Sequence, residues 1–146
     1  MANQFNESLK RYRLTAFEDE WGELQRGIEK ESLRVKPNGL ISLSPHPKAL
    51  GSALTNPYIT TDFSEALLEL ITPVSRTIDS CLQELENIHR YTMQNIESDE
   101  VLWVTSMPCP LRSDTQIPIA QYGESNIGKL KTLYREGLHQ RYGSLM

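Results

Sequence analysis

Arg26-Gly27-Ile28-Glu29-Lys30-Glu31-Ser32-Leu33-Arg34-Val35 is followed at once by the turn signal Pro37-Asn38-Gly39 and a short run from Leu40 to Leu43. The alternation over Arg26 to Val35 predicts a strand, and the turn predicts a short second strand returning from it, so a β-hairpin is the expected unit. Successive strand side chains point to opposite faces, which puts Glu29, Glu31, Leu33 and Val35 on one face. Two carboxylates two positions apart on a strand lie roughly 6–7 Å from each other. That is near enough to repel and well spaced to flank a hard cation. The other reading places Glu29 and Glu31 on the solvent face of an edge strand, neutralised by Lys30 and Arg34, because exposed glutamate is the common case. The continuation of the same face into Leu33 and Val35 fits a strand that runs from a cleft at its N-terminal end into the core.

Downstream, Ser44 to Tyr58 carries three prolines among Ser, Gly and Asn and reads as a long loop. Ile59 to Ile71 has strand character and stops at Thr72-Pro73; as one strand it aligns Glu65, Leu67, Glu69 and Ile71, again acids on an apolar face, with Asp62 close by. Thr77 to Ile96 predicts a helix, with Ile78, Leu82, Leu85, Ile88 and Thr92 at helical spacing. Val101 to Ser106 predicts a strand, and a polar, turn-rich segment follows to Ser125. Asn126 to Tyr142 predicts a helix with Leu130, Leu133, Tyr134, Leu138 and Tyr142 near one face, held by tertiary packing against the weakening effect of Gly128 and Gly137, up to about 1 kcal/mol each. Upstream, Phe5 to Trp21 predicts a helix or helix pair. Strands and helices mix without regular βα alternation, which indicates an α+β fold.

The 146 residues, 38% hydrophobic and 23% charged, suffice for one globular core. A net charge of −4 without a Lys/Arg run argues against a nucleic-acid partner. No apolar stretch approaches the roughly 20 residues of a membrane helix, and Met1 to Lys10 lacks the apolar core of a signal peptide, so no membrane partner and a cytoplasmic location are expected. Cys81 and Cys109 fit neither a disulfide framework nor a zinc pattern and read as free thiols, Cys109 by default a structural one. His89, beside apolar helix positions, reads as a packed or surface histidine.

Gly123-Glu124-Ser125-Asn126-Ile127-Gly128-Lys129 matches a phosphate loop up to its lysine. However, Leu130 stands where a Ser or Thr must reach magnesium, and Pro118 to Tyr122 is a poor buried parallel strand. A polar loop capped by Ser125 or Asn126 at a helix start is the better reading.

Arg26 to Val35 resembles the opening strand of the proteobacterial type of glutamate–cysteine ligase. Ala49-Leu50-Gly51-Ser52-Ala53-Leu54-Thr55, Ile59 to Glu69, Ser106-Met107-Pro108-Cys109 and Lys131 to Leu138 resemble that family in the same order, so the likeness runs from about Arg26 to Met146. The resemblance implies a partial glutamine synthetase-like catalytic fold, antiparallel strands flanked by helices. It also implies ATP- and Mg²⁺-dependent joining of the glutamate γ-carboxylate to the cysteine amine through an acyl phosphate, the first step of glutathione biosynthesis. Glu29, Glu31, Asp62 and Glu69 match the family's metal-binding acids, and Phe63, Tyr134 and Leu138 correspond to positions lining its cysteine pocket. Arg135 is a weaker candidate for an anion contact, and Glu65 reads as structural or as supporting the ligands from behind.

Members of the family continue well beyond a length of this kind and draw further ligands and most of the ATP site from there. Residues 1–146 are therefore expected to form a single N-terminal portion of the catalytic domain, inactive alone and prone to self-association through exposed strand edges. The alternative is a non-catalytic module that binds metal or nucleotide or serves in interaction.

Overall fold

The acid-bearing stretch forms β1, Glu29–Val35, in a computed structural model that describes residues 2–14, 24–113 and 116–142. Along β1 exposure falls from the exposed Glu29 and Glu31 to Val35, which is 1% exposed, so the strand does run from an open edge into the core. On one side β1 pairs antiparallel with β3, Leu67–Ile71, setting Glu31 opposite Glu69 and Leu33 opposite Leu67. On the other it pairs antiparallel with β4, Val101–Leu102. With β2, Ile59–Thr61, on the far side of β3, the sheet order among the described residues is β2-β3-β1-β4. Helices α1, Ala2–Leu14, α2, Ile78–Asn95, and α3, Asn126–Tyr142, complete an α+β fold.

Three strand expectations need correction. Ile59 to Ile71 is a tight hairpin of β2 and β3 rather than one strand. Asp62 N–H donates to Leu67 O, while Leu67 N–H donates to Ser64 O and Oγ, closing the turn between them. Local hydroxyl bonding of this kind competes with strand continuation, and alternation alone cannot reveal it. Leu40 to Leu43 contributes a single bridge, Ile41 to Val35, plus the Ser42 N–H to Arg34 O bond. The turn before it is as expected, with Asn38 Oδ1 accepting from Leu40 N–H and Gly39 at φ +80°. β4 stops at Leu102: Trp103 N–H still reaches Leu33 O, but Trp103 Nε1 and Thr105 Oγ1 both donate to Met107 O and turn the chain away.

Helix α2 matches Thr77 to Ile96, with Thr77 as its N-cap accepting from Ser80 N–H. Its buried stripe is Cys81, Ile88 and Thr92, with Leu85 and Ile96 partly buried, whereas Ile78 and Leu82 face solvent. This stripe packs on Leu68 and Leu70 of β3, with Leu50, Ile59 and Leu102 completing the core. The long loop contains one 3₁₀ turn, Lys48–Leu50, which delivers Leu50 to that core. Of the helix or helix pair expected over Phe5 to Trp21, residues 5–14 lie in α1; residues 15–23 lie outside the described ones.

α3 corrects another expectation. Leu130, Leu133, Tyr134 and Tyr142 are exposed, and the helix docks through Gly128 instead. A Cβ at Gly128 would lie 2.4 Å from Tyr122 O and 2.6 Å from Gly123 O, which are backbone atoms that cannot step aside. Gly128→Ala is therefore expected to destabilise the docking of α3 by about 1–3 kcal/mol through overpacking, despite alanine's better helix propensity. Loss of protease protection at residues 123–142, with the sheet intact, would show it; unchanged protection would refute the close approach.

Candidate functional site

The two faces of the sheet carry different chemistry. Helix α2 packs on the face of Leu68 and Leu70, which is also the face of Lys30, Ser32 and Arg34. Residues directly opposite in an antiparallel pair share a face, so Glu29, Glu31, Glu69 and Thr60 lie together on the other. Asp62 joins them from just beyond β2, its side chain 41% exposed.

These acids share one electrostatic field. The Glu69 carboxyl is raised above the ordinary carboxylate range by burial and then by the charges of Asp62, Glu29 and Glu31, with Lys131 opposing. The strand's own cations do not relieve this repulsion, contrary to the solvent-face reading. Lys30 Nζ bonds Ser32 Oγ and lies 3.3 Å from His89 Nε2, and burial lowers the pKa of both Lys30 and His89. Arg34 is fully buried, with its Nη1 forked onto Glu100 at 3.1 and 3.0 Å.

Countercharge comes from α3. Arg135 Nη2 donates to Asp62 Oδ1 at 3.0 Å while its guanidinium lies 5.6 Å from the ring centres of both Phe63 and Tyr122. Lys131, one turn earlier on the helix, lies 4.7 Å over the Tyr122 ring. The Tyr122 hydroxyl donates to the Thr61 and Asp62 carbonyl oxygens at 2.6 and 3.0 Å and fixes the backbone that carries Asp62.

Four carboxylates in mutual repulsion suit a hard divalent cation with oxygen ligands, which is the preference of Mg²⁺. Among the described residues no three Asp, Glu, His or Cys groups already stand close enough to form a metal-ion shell. The donor chemistry fits, and an ion would have to draw the acids together.

Phe63 is buried and, with Glu31, Leu67, Trp103, Met107 and Leu111, lines a cleft of about 630 Å³ beside the acids. Tyr134 is 65% exposed and Leu138 half-buried; neither lines that cleft. Glu65 is buried and its carboxylate accepts from the backbone N–H of His46 at 2.8 Å and of Gln121 at 2.7 Å, so it ties two loops together as a structural acid. Cys109 is buried, which pushes its thiol pKa up. At the phosphate-loop lookalike, Ser125 Oγ accepts from Gly128 N–H as a helix cap, Lys129 pairs with Glu124, and Gly128 serves close packing.

Sequence reasoning missed two parts of this neighbourhood. The cleft wall of Trp103, Met107 and Leu111 depends on how the loop after β4 folds back. On the basic edge of α3, Arg135, already a candidate for an anion contact, reaches the Asp62 carboxylate, whereas Lys131 was missed although its i, i+4 spacing from Arg135 signals it.

The profile of the glutamate–cysteine ligase family matches residues 10–146. The chain belongs to this family. It is 58% identical over 123 residues to a glutamate–cysteine ligase of Alcanivorax borkumensis, covering 84% of this chain and 23% of that one. To that of Hahella chejuensis it is 54% identical over 140 residues, covering 96% and 26%. Its structure is similar to a glutamate–cysteine ligase from Francisella tularensis crystallised in complex with AMP, with a TM-score of 0.80, 47% identity, and coverage of 83% of this chain and 24% of that one. It is also similar to a bifunctional glutathione synthetase from Pasteurella multocida, with a TM-score of 0.73, 35% identity, and coverage of 87% and 17%. The chain thus spans about a quarter of the length of these glutamate–cysteine ligases. Among the described residues no helix is long and apolar enough to cross a membrane.

Proposed function

We propose that this chain supplies the magnesium-holding acids and part of the amino-acid site for an ATP-dependent ligase that joins the glutamate γ-carboxylate to the cysteine amine, the first step of glutathione biosynthesis. The observation that carries the proposal is the sheet register: Glu31 stands opposite Glu69, and the charges of Glu29 and Asp62 also bear on Glu69. Family membership and the AMP complex of the Francisella relative support the nucleotide.

Glu29, Glu31, Asp62 and Glu69 would hold Mg²⁺, which when bound neutralises charge between the phosphates and the carboxylate they must approach. The exposed Glu29 and Glu31 would meet it from the open end of β1, and the half-buried Glu69 from the sheet interior. Phe63 bounds the acid edge with an apolar wall that excludes water. With Tyr134 and Leu138 from α3 it would form the cysteine pocket. In the ligase reaction the cysteine amine attacks the acyl phosphate and phosphate leaves. The chain acts as one portion of a catalytic domain in the cytoplasm, and it would self-associate through the edges of its sheet.

Calorimetry of the 146-residue chain with a nonhydrolysable ATP analogue tests this. Magnesium-dependent binding is expected, lost in Glu31→Gln, with no ATP hydrolysis dependent on glutamate and cysteine. Robust turnover by this chain would overturn its assignment as a partial site. Absence of magnesium-dependent binding would favour a purely structural or interaction module.

A further inference from the structure

Helix α3 brings a second, positively charged layer against the acids, and its geometry is that of an ion already in place. Arg135 is largely buried, its side chain 13% exposed, and spends its Nη2 donor on Asp62 Oδ1 at 3.0 Å. The rings of Phe63 and Tyr122 each receive the guanidinium at 5.6 Å, an attraction that does not depend on the bond to Asp62. Lys131 sits on the same edge of α3 over Tyr122, so two cations one helical turn apart lie toward a field of four carboxylates.

We propose that Arg135 is a placeholder cation, pairing with Asp62 while no divalent ion is bound and giving up that carboxylate when the ion binds. The proposal rests on the reading of Glu29, Glu31, Asp62 and Glu69 as the metal acids. A divalent ion on Asp62 withdraws the carboxylate lone pairs that Arg135 uses and repels the guanidinium, so the two cannot share the group at full strength. The aromatic rings let the guanidinium shift without α3 undocking. Arg135 is thus a positioning residue: it keeps Asp62 aimed and its charge compensated in the metal-free protein, at the expense of metal affinity.

Magnesium titration by calorimetry at constant ionic strength separates this from a purely supportive role. Arg135→Gln is expected to bind Mg²⁺ about 3- to 10-fold more tightly, because a competing ion pair is gone. Arg135→Lys, which keeps the charge, should stay near wild type. Arg141→Gln, an equal charge change at the far end of α3, should shift affinity less than about 2-fold because of screening. Weaker or unchanged binding in a folded Arg135→Gln protein would overturn the proposal.

A measurement on the unaltered chain covers the case in which the variants do not fold. The Arg135 guanidinium NMR signal should move on saturation with Mg²⁺, and an unmoved signal would overturn the placeholder role while leaving the metal site standing. No magnesium binding by wild type would overturn both.

Discussion

Arg34→Ala is expected to lower the stability of the folded chain by about 3–5 kcal/mol, the range for removing one partner of a buried ion pair. Both side chains of the Arg34–Glu100 pair are 0% exposed. Arg34 also donates from Nη2 to Ser44 O at 2.8 Å and to Glu65 O at 3.0 Å, so this one side chain ties β1 to the loop after it and to the turn that leads into β3. Without it, Glu100 keeps a bond from Ser42 Oγ and Lys36 Nζ at 3.7 Å, which do not replace a forked guanidinium. Urea denaturation measures the loss. A double variant, Arg34→Met with Glu100→Leu, should recover most of it, since replacing a buried pair by apolar groups is often neutral or better. A single-variant loss below about 1 kcal/mol, the level of an exposed pair, would show that the pair is not buried in solution.

Glu69→Gln should have two effects of opposite sign, which a purely structural glutamate would not produce. The Glu69 carboxyl has a raised pKa in the folded state, by burial first and then by Asp62, Glu29 and Glu31. The folded state therefore holds this proton more tightly than the unfolded one. Below the unfolded pKa both states are protonated and nothing is lost. As pH rises through the carboxylate range stability falls, and the full penalty is present above the folded pKa. Glu69→Gln removes that penalty, so without metal the variant should melt higher than wild type at neutral pH and equally at low pH. With magnesium the order reverses. At a concentration a hundred times the dissociation constant a bound ligand adds about 2.7 kcal/mol, and this should appear in wild type and vanish in the variant. Thermal melts with and without Mg²⁺ at two pH values read out both effects; a variant that keeps the magnesium shift would remove Glu69 from the ligand set.

Elements with a strong local signal were legible in the sequence. Period-two alternation over Glu29 to Val35, the Pro-Asn-Gly turn and the helical spacing over Thr77 to Ile96 each depend on neighbours a few residues away, and all stand where the pattern put them. Ordered motifs were enough to place the chain in its family, as the profile match over residues 10–146 shows. Which face of a helix is buried was less legible. α2 turns Cys81 inward and Ile78 outward, and α3 leaves Leu130, Leu133 and Tyr134 in solvent while burying Gly128.

The sequence by itself determined that acids would alternate along β1 and recur near β3, because that follows from the two-residue period of a strand. Tertiary structure decided which of them meet. The register of β1 on β3 sets Glu31 opposite Glu69, the β2–β3 turn removes Glu65 from the group, and the docking of α3 places Arg135 on Asp62. Strand register and helix docking are fixed by burial of Leu68, Leu70 and Gly128 against partners far along the chain, and no local pattern encodes that free energy.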